Sequence, residues 1–114
     1  MEDKITRNYI EDVLSMAFAG GVTAEWLQWV EESPAHCVCD EDTAFSKYVA
    51  NGGAIRIKPE GESSRVLDRE EMEKGIFLYS LYHNKGELPD IMEMDAESAD
   101  MIVQYALFKC LVYC

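Results

Sequence analysis

Between Thr6 and Phe18 the apolar residues Ile10, Val13, Leu14 and Ala17 recur at i, i+3, i+4 and i+7, the spacing that gathers them on one helical face. Thr6 stands where an N-cap belongs. Gly20 and Gly21 follow where the helix must stop, because glycine adopts the left-handed conformation without a steric cost. Val22 and Leu27 have the spacing of a hydrophobic staple around a new cap at Thr23, so AGGVTAEW reads as a corner between two helices. The second of these, AEWLQWVEE, sets Trp26, Leu27 and Val30 on one face with Trp29 at its edge, and Pro34 limits how far it runs.

After a loop at PAHCVCDED, the segment TAFSKYVANGG predicts a short helix capped by Thr43 and stopped at Asn51, Gly52 and Gly53, with Phe45, Tyr48 and Val49 inward. The rhythm then changes. Ile55 and Ile57 alternate with Arg56 and Lys58, and Arg65–Leu67 can pair with them across KPEGESS, which makes a β-hairpin. Asp68 and Glu71 have capping-box spacing and open a helix to about His83, with Met72, Ile76 and Tyr79 as its inner stripe. NKGELPDIMEM reads as a loop ending in a short extended piece at Ile91–Met94, and Asp95 caps the final helix.

At about 100° per residue, Ala99, Ile102, Val103, Ala106 and Cys110 of that final helix form one stripe, while Met101, Tyr105, Phe108 and Val112 form another nearly opposite. A helix apolar on two sides buries both. It is either the central helix of the domain or a helix whose second face meets a twin subunit, in a homodimer through the C-terminal helix. The small residues Ala99, Ala106 and Cys110 would permit close backbone approach. A membrane anchor is not expected, because Met101–Cys114 has 14 residues and contains Gln104 and Lys109, whereas a span needs about 20 apolar residues. The expected fold is α+β: a mostly helical single domain over residues 1–114, with one β-hairpin packed against about five helices.

Composition agrees with a folded core, since 48% of the 114 residues are hydrophobic. Charge narrows the partners. With 22 acids against 10 bases the formal charge is −12, which opposes direct binding to nucleic acid or anionic lipid and favours a basic protein surface. Net negative charge also simply keeps a protein soluble. The opening MEDKITRNYIEDVLSM mixes acids, bases and apolar residues, unlike a secretory leader, so a cytoplasmic location is expected.

Chemistry is harder to find. His36, Cys37, Cys39, Cys110 and Cys114 could ligate zinc, but their spacing is not that of a ribbon or finger, and Cys110 lies on a predicted core stripe. Reduced thiols are the expectation, with no metal and no cofactor. His36 and His83 are the histidines available to activate a nucleophile, and a sequence neighbour such as Cys37 is not thereby a spatial one. The glycine pairs lack the order of a phosphate-binding loop. Carboxylates are abundant, yet Glu70, Glu71 and Glu97 fall in first helical turns, where the helix dipole favours acids. No catalytic residue is nominated, and a non-enzymatic protein is expected.

One stretch stands apart. Residues Glu25–Asp42 carry six acids and no Lys or Arg. Glu25, Trp29, Glu31, Glu32, Asp40, Glu41 and Asp42 are therefore the candidate partner-binding residues, the acids steering a basic partner and the tryptophan supplying anchor area. Tyr79, Tyr82, Trp26 and Tyr105 are the alternative, as the lining of a small-molecule pocket between helices.

The segments IEDVLSMAFAGGVTAEW, NGGAIRIKPE, EKGIFLYSLYHNKG and MDAESADMIVQYALF, in this order, resemble a family of small acidic proteins encoded in phages and prophages of gut Firmicutes. The last segment is the most specific. The chain departs from that family at Lys109, which follows QYALF where the relatives have glycine, and in having Trp26 and Trp29 without a nearby cysteine after the double glycine. The resemblance implies a mobile-element accessory protein made in a bacterial cytoplasm; that small acidic phage proteins often inhibit host defence is an analogy. It carries over no activity and no site residues.

Overall fold

The computed structural model describes residues 5–19, 27–32 and 41–112. Among these the elements are α1 (Arg7–Ala19), β1 (Leu27–Glu32), α2 (Glu41–Ala50), β2 (Ile55–Pro59), β3 (Arg65–Leu67), α3 (Arg69–His83) and α4 (Ala96–Phe108). The chain is thus α+β and mostly helical, with four helices among the described residues where about five were expected.

The expected second helix is replaced by a strand where the chain is described. Leu27–Glu32 is a strand, antiparallel to β2, with Leu27 opposite Pro59, Trp29 opposite Lys58, Val30 opposite Ile57 and Glu32 opposite Arg56. Its register slips between Leu27 and Trp29 and again between Val30 and Glu32. Two physical terms favour the strand. Trp29 and Val30 are β-formers, and the free edge of β2 offers a row of backbone donors and acceptors that a two-turn helix would leave to water. Gly20, Gly21, Val22, Thr23 and Trp26, on which the helical corner rested, lie outside the described residues.

The hairpin forms as its alternation requires. Ile55 pairs with Leu67, Arg56 with Val66 and Ile57 with Arg65, so Ile55, Ile57 and Leu67 are buried together, and the sheet order is β1-β2-β3. Helix starts follow local chemistry. The Tyr9 amide donates to Thr6 Oγ1 at 3.1 Å, the Glu71 amide to Asp68 Oδ1 at 2.8 Å, and the Ser98 amide to Asp95 Oδ1 at 2.8 Å. For α2 the expected cap at Thr43 is corrected: the helix begins two residues earlier, at Glu41, which puts Glu41 and Asp42 in its dipole-favoured first turn. It stops as predicted. The Gly53 amide donates to Tyr48 O at 2.8 Å and that of Gly52 to Val49 O at 3.0 Å, a Schellman stop whose left-handed residue is Gly52, with φ +102°.

Two further expectations change. Residues 91–93 are turns rather than an extended piece, closed by the Glu93 amide on Asp90 O at 3.0 Å. The final helix ends at Phe108, because Lys109 takes the left-handed conformation, φ +63°, that glycine usually supplies. Its side chain offsets the strain by donating to Ala106 O at 2.7 Å and to the Glu71 carboxylate. Cys110 is consequently exposed rather than on the core stripe, and so is Val112, whose amide donates to Gln104 Oε1 at 2.8 Å.

Helix α4 is the centre. It packs against α3, α1 and β3, and of its residues Glu97 alone is exposed. Ala99, Ile102, Val103 and Ala106 are fully buried against Ile10, Val13, Leu14, Met72 and Ile76 in one core. The second stripe is covered only in part: Tyr105 is 6% exposed, Met101 and Phe108 are half-buried, and Val112 is exposed. Close approach is real at one of the three small positions. At Gly75 of α3 a methyl group would stand 2.6 Å from Ile102 O and 2.7 Å from Ala106 N.

Candidate functional site

The acid-rich stretch is divided between elements. Trp29, Glu31 and Glu32 lie on β1, and Glu41 and Asp42 open α2. Glu25 and Asp40 lie outside the described residues. The β1–β2 register places Trp29 opposite Lys58 and Glu32 opposite Arg56, the two basic positions that alternate with buried Ile55, Ile57 and Pro59. Glu31 has no such counterpart in the register. Lys58 is committed in another direction as well, its ammonium donating to Pro59 O at 3.2 Å and to Glu62 O, which ties down the hairpin turn.

The tyrosines of the alternative site do come together, around a residue that sequence reasoning set aside. His83 Nε2 lies 2.8 Å from Tyr105 Oη, and the His83 ring stacks on Tyr79 at 5.1 Å. Tyr82 stacks on Tyr105 at 5.9 Å and is itself 63% exposed. Trp26 lies outside the described residues. The rings pack on one another. The Tyr105 hydroxyl is pushed up from the ordinary phenol range, first by burial and then by Tyr82 and Cys110. The signal for His83 was its i+4 spacing from Tyr79; its contact with Tyr105 spans 22 residues and has no local signature.

Space for a ligand lies elsewhere. A groove of about 500 Å³ runs beside α3, lined by Ile5, Phe77 and Leu78 with Glu70, Glu73, Lys74 and Lys109 at its margin. A second, of about 630 Å³, lies between Tyr9 and the loop 86–91. Tyr9 anchors that loop by donating to Pro89 O at 2.7 Å, and burial, with Tyr79 and Asp90 adding to it, pushes its pKa up to about 12. It is therefore a fixed donor rather than an acid–base group.

His36, Cys37, Cys39 and Cys114 lie outside the described residues, and among the described residues no three potential ligands converge on a metal position. No helix of the described chain is long and apolar enough to cross a membrane. No protein-family model matches the chain, and neither does any curated protein or solved structure.

Proposed function

We propose that this chain is a non-enzymatic accessory protein of a phage or other mobile element that binds a basic surface of a host defence nucleoprotein, such as a CRISPR effector, in the bacterial cytoplasm. The observation that carries the reading is the charge distribution: six acids and no Lys or Arg in 18 residues, within a chain of net charge −12. Such a surface competes with nucleic acid for a basic groove and steers the encounter at long range. On this reading Glu31, Glu41 and Asp42, with Trp29 beside them in sequence, contact the partner, together with Glu25, Glu32 and Asp40.

The test is affinity capture from a bacterial lysate at low and high salt, comparing the native chain with one carrying Glu31→Gln, Glu41→Gln and Asp42→Asn. A basic nucleic-acid-binding protein is recovered at low salt by the native chain alone. Equal recovery by both chains, or recovery of no basic protein, overturns the reading.

A small-molecule binding or sequestering role is the second reading, favoured by the apolar floor of the 500 Å³ groove, a size typical of ligand sites. Native mass spectrometry of the purified protein separates the two, since a retained ligand adds a discrete mass.

A further inference from the structure

The connection between α3 and α4 is stitched to itself and tied only once to another element. Within it the Asn84 side chain donates to Glu87 O at 2.7 Å and the Glu87 amide to Asn84 O at 3.0 Å, while the amides of Met92 and Glu93 donate to Asp90 Oδ1 at 2.9 Å and Asp90 O at 3.0 Å. Among the described residues, a single hydrogen bond joins positions 87–94 to another element, from Tyr9 Oη of α1 to Pro89 O. The segment has an inside and an outside. Leu88, Ile91 and Met94 are half-buried against the core, whereas Glu87, Asp90, Met92 and Glu93 are exposed. The 630 Å³ space lined by Tyr9 and residues 86–91 lies beneath it. Both roots are fixed. At one, Lys85 and Gly86 are left-handed, φ +56° and +81°, and the Gly86 amide donates to Ser80 O at 2.8 Å; at the other, Asp95 caps α4.

We propose that residues 87–94 are a lid over this space, latched shut by Tyr9, which opens as one piece between its roots at Gly86 and Asp95. A compact surface loop packed by its own side chains is a unit that can open locally while the rest of the fold stays closed. Here the internal hydrogen bonds survive opening and the Tyr9 bond does not. Opening therefore costs one hydrogen bond and the cover of three half-buried apolar side chains, and it leaves the core helices in place. It also frees a donor and an acceptor at the mouth of the space, the Tyr9 hydroxyl and Pro89 O, which satisfy each other while the lid is shut. The latch thus sets how often the space is open.

Thiol labelling of the full chain tests the proposal. A cysteine is placed at one underside position at a time, as Leu88→Cys, Ile91→Cys or Met94→Cys, and its modification is read at that position by peptide mass spectrometry. Ala17→Cys, on the buried face of α1, reports global unfolding. The underside positions are expected to label more slowly than in the urea-unfolded chain, at rates nearly indifferent to urea below the unfolding midpoint, because a lid uncovers little surface. Labelling at Ala17→Cys climbs with urea instead. Adding Tyr9→Phe removes the latch and keeps the ring, and it speeds labelling at all three underside positions by a common factor of about threefold to tenfold, the usual effect of one hydrogen bond. Underside labelling that climbs with urea in step with Ala17→Cys, labelling as fast as in the unfolded chain, indifference to Tyr9→Phe, or factors that differ among the three positions overturns the proposal.

Discussion

Gly75 is where the two longest-packed helices meet backbone to backbone. A methyl group there would stand 2.6 Å from a carbonyl oxygen and 2.7 Å from an amide nitrogen of α4, and neither atom can move without moving the helix. Gly75→Ala would ordinarily strengthen a helix by about 1 kcal/mol. Here overpacking dominates, and a net loss of about 1–3 kcal/mol is expected in urea denaturation; a gain would mean that α3 and α4 do not touch at this point. Glu71 and Lys109 join the start of α3 to the end of α4. The hydrogen bond from the Lys109 ammonium, with lesser help from the charges of Lys109 and Lys74 and against partial burial, holds the Glu71 carboxyl below the ordinary range of 4.5. A carboxyl depressed in the folded state contributes stability that is fully present above about pH 4.5 and is lost as the pH falls through its folded value. Glu71→Gln is therefore expected to flatten the fall in melting temperature between about pH 5 and pH 3. An unchanged slope would mean that the pair adds nothing. The same pair explains how a lysine occupies the left-handed position that ends α4: the strain, about 1 kcal/mol, is offset by two hydrogen bonds from its own side chain.

At the scale of elements, β1 separates the competing readings most sharply. Gln28→Thr is expected to raise stability by a few tenths of a kcal/mol, about 0.3, because a β-branched residue suits a strand; a comparable loss would mean that AEWLQWVEE is helical after all. What was legible in the sequence has a common physical origin. The caps at Thr6, Asp68 and Asp95, the Schellman stop at Gly52 and the alternation of Ile55 and Ile57 are contacts between residues at most five positions apart, and each has a local chemical reason. β1 is held by partners 24 to 32 residues away, as the Glu32–Arg56 and Leu27–Pro59 pairs show, and its own pattern fits either period. The left-handed turn at Lys109 was hidden for the same reason, since Glu71 stabilises it from 38 residues upstream. Among candidate site residues, the charge cluster could be read directly because charge needs no geometry. The pairing of Glu32 with Arg56, and of His83 with Tyr105, could not.

At the scale of the whole molecule, the apolar segment Ala96–Phe108 is a core helix. Helix α4 is enclosed by α1, α3 and β3; the acid-rich stretch is carried in part by β1 and the start of α2, and an apolar row stands exposed on α3. Both proposals of binding presuppose that enclosure. Hydrogen exchange resolved by residue tests it most directly. The amides of Ile102 to Leu107 are expected to be among the slowest in the chain, exchanging only through global unfolding, with an opening free energy equal to that from urea denaturation. Rapid exchange of these amides, while those of Ile10 to Leu14 and Met72 to Ile76 stay protected, would contradict the account.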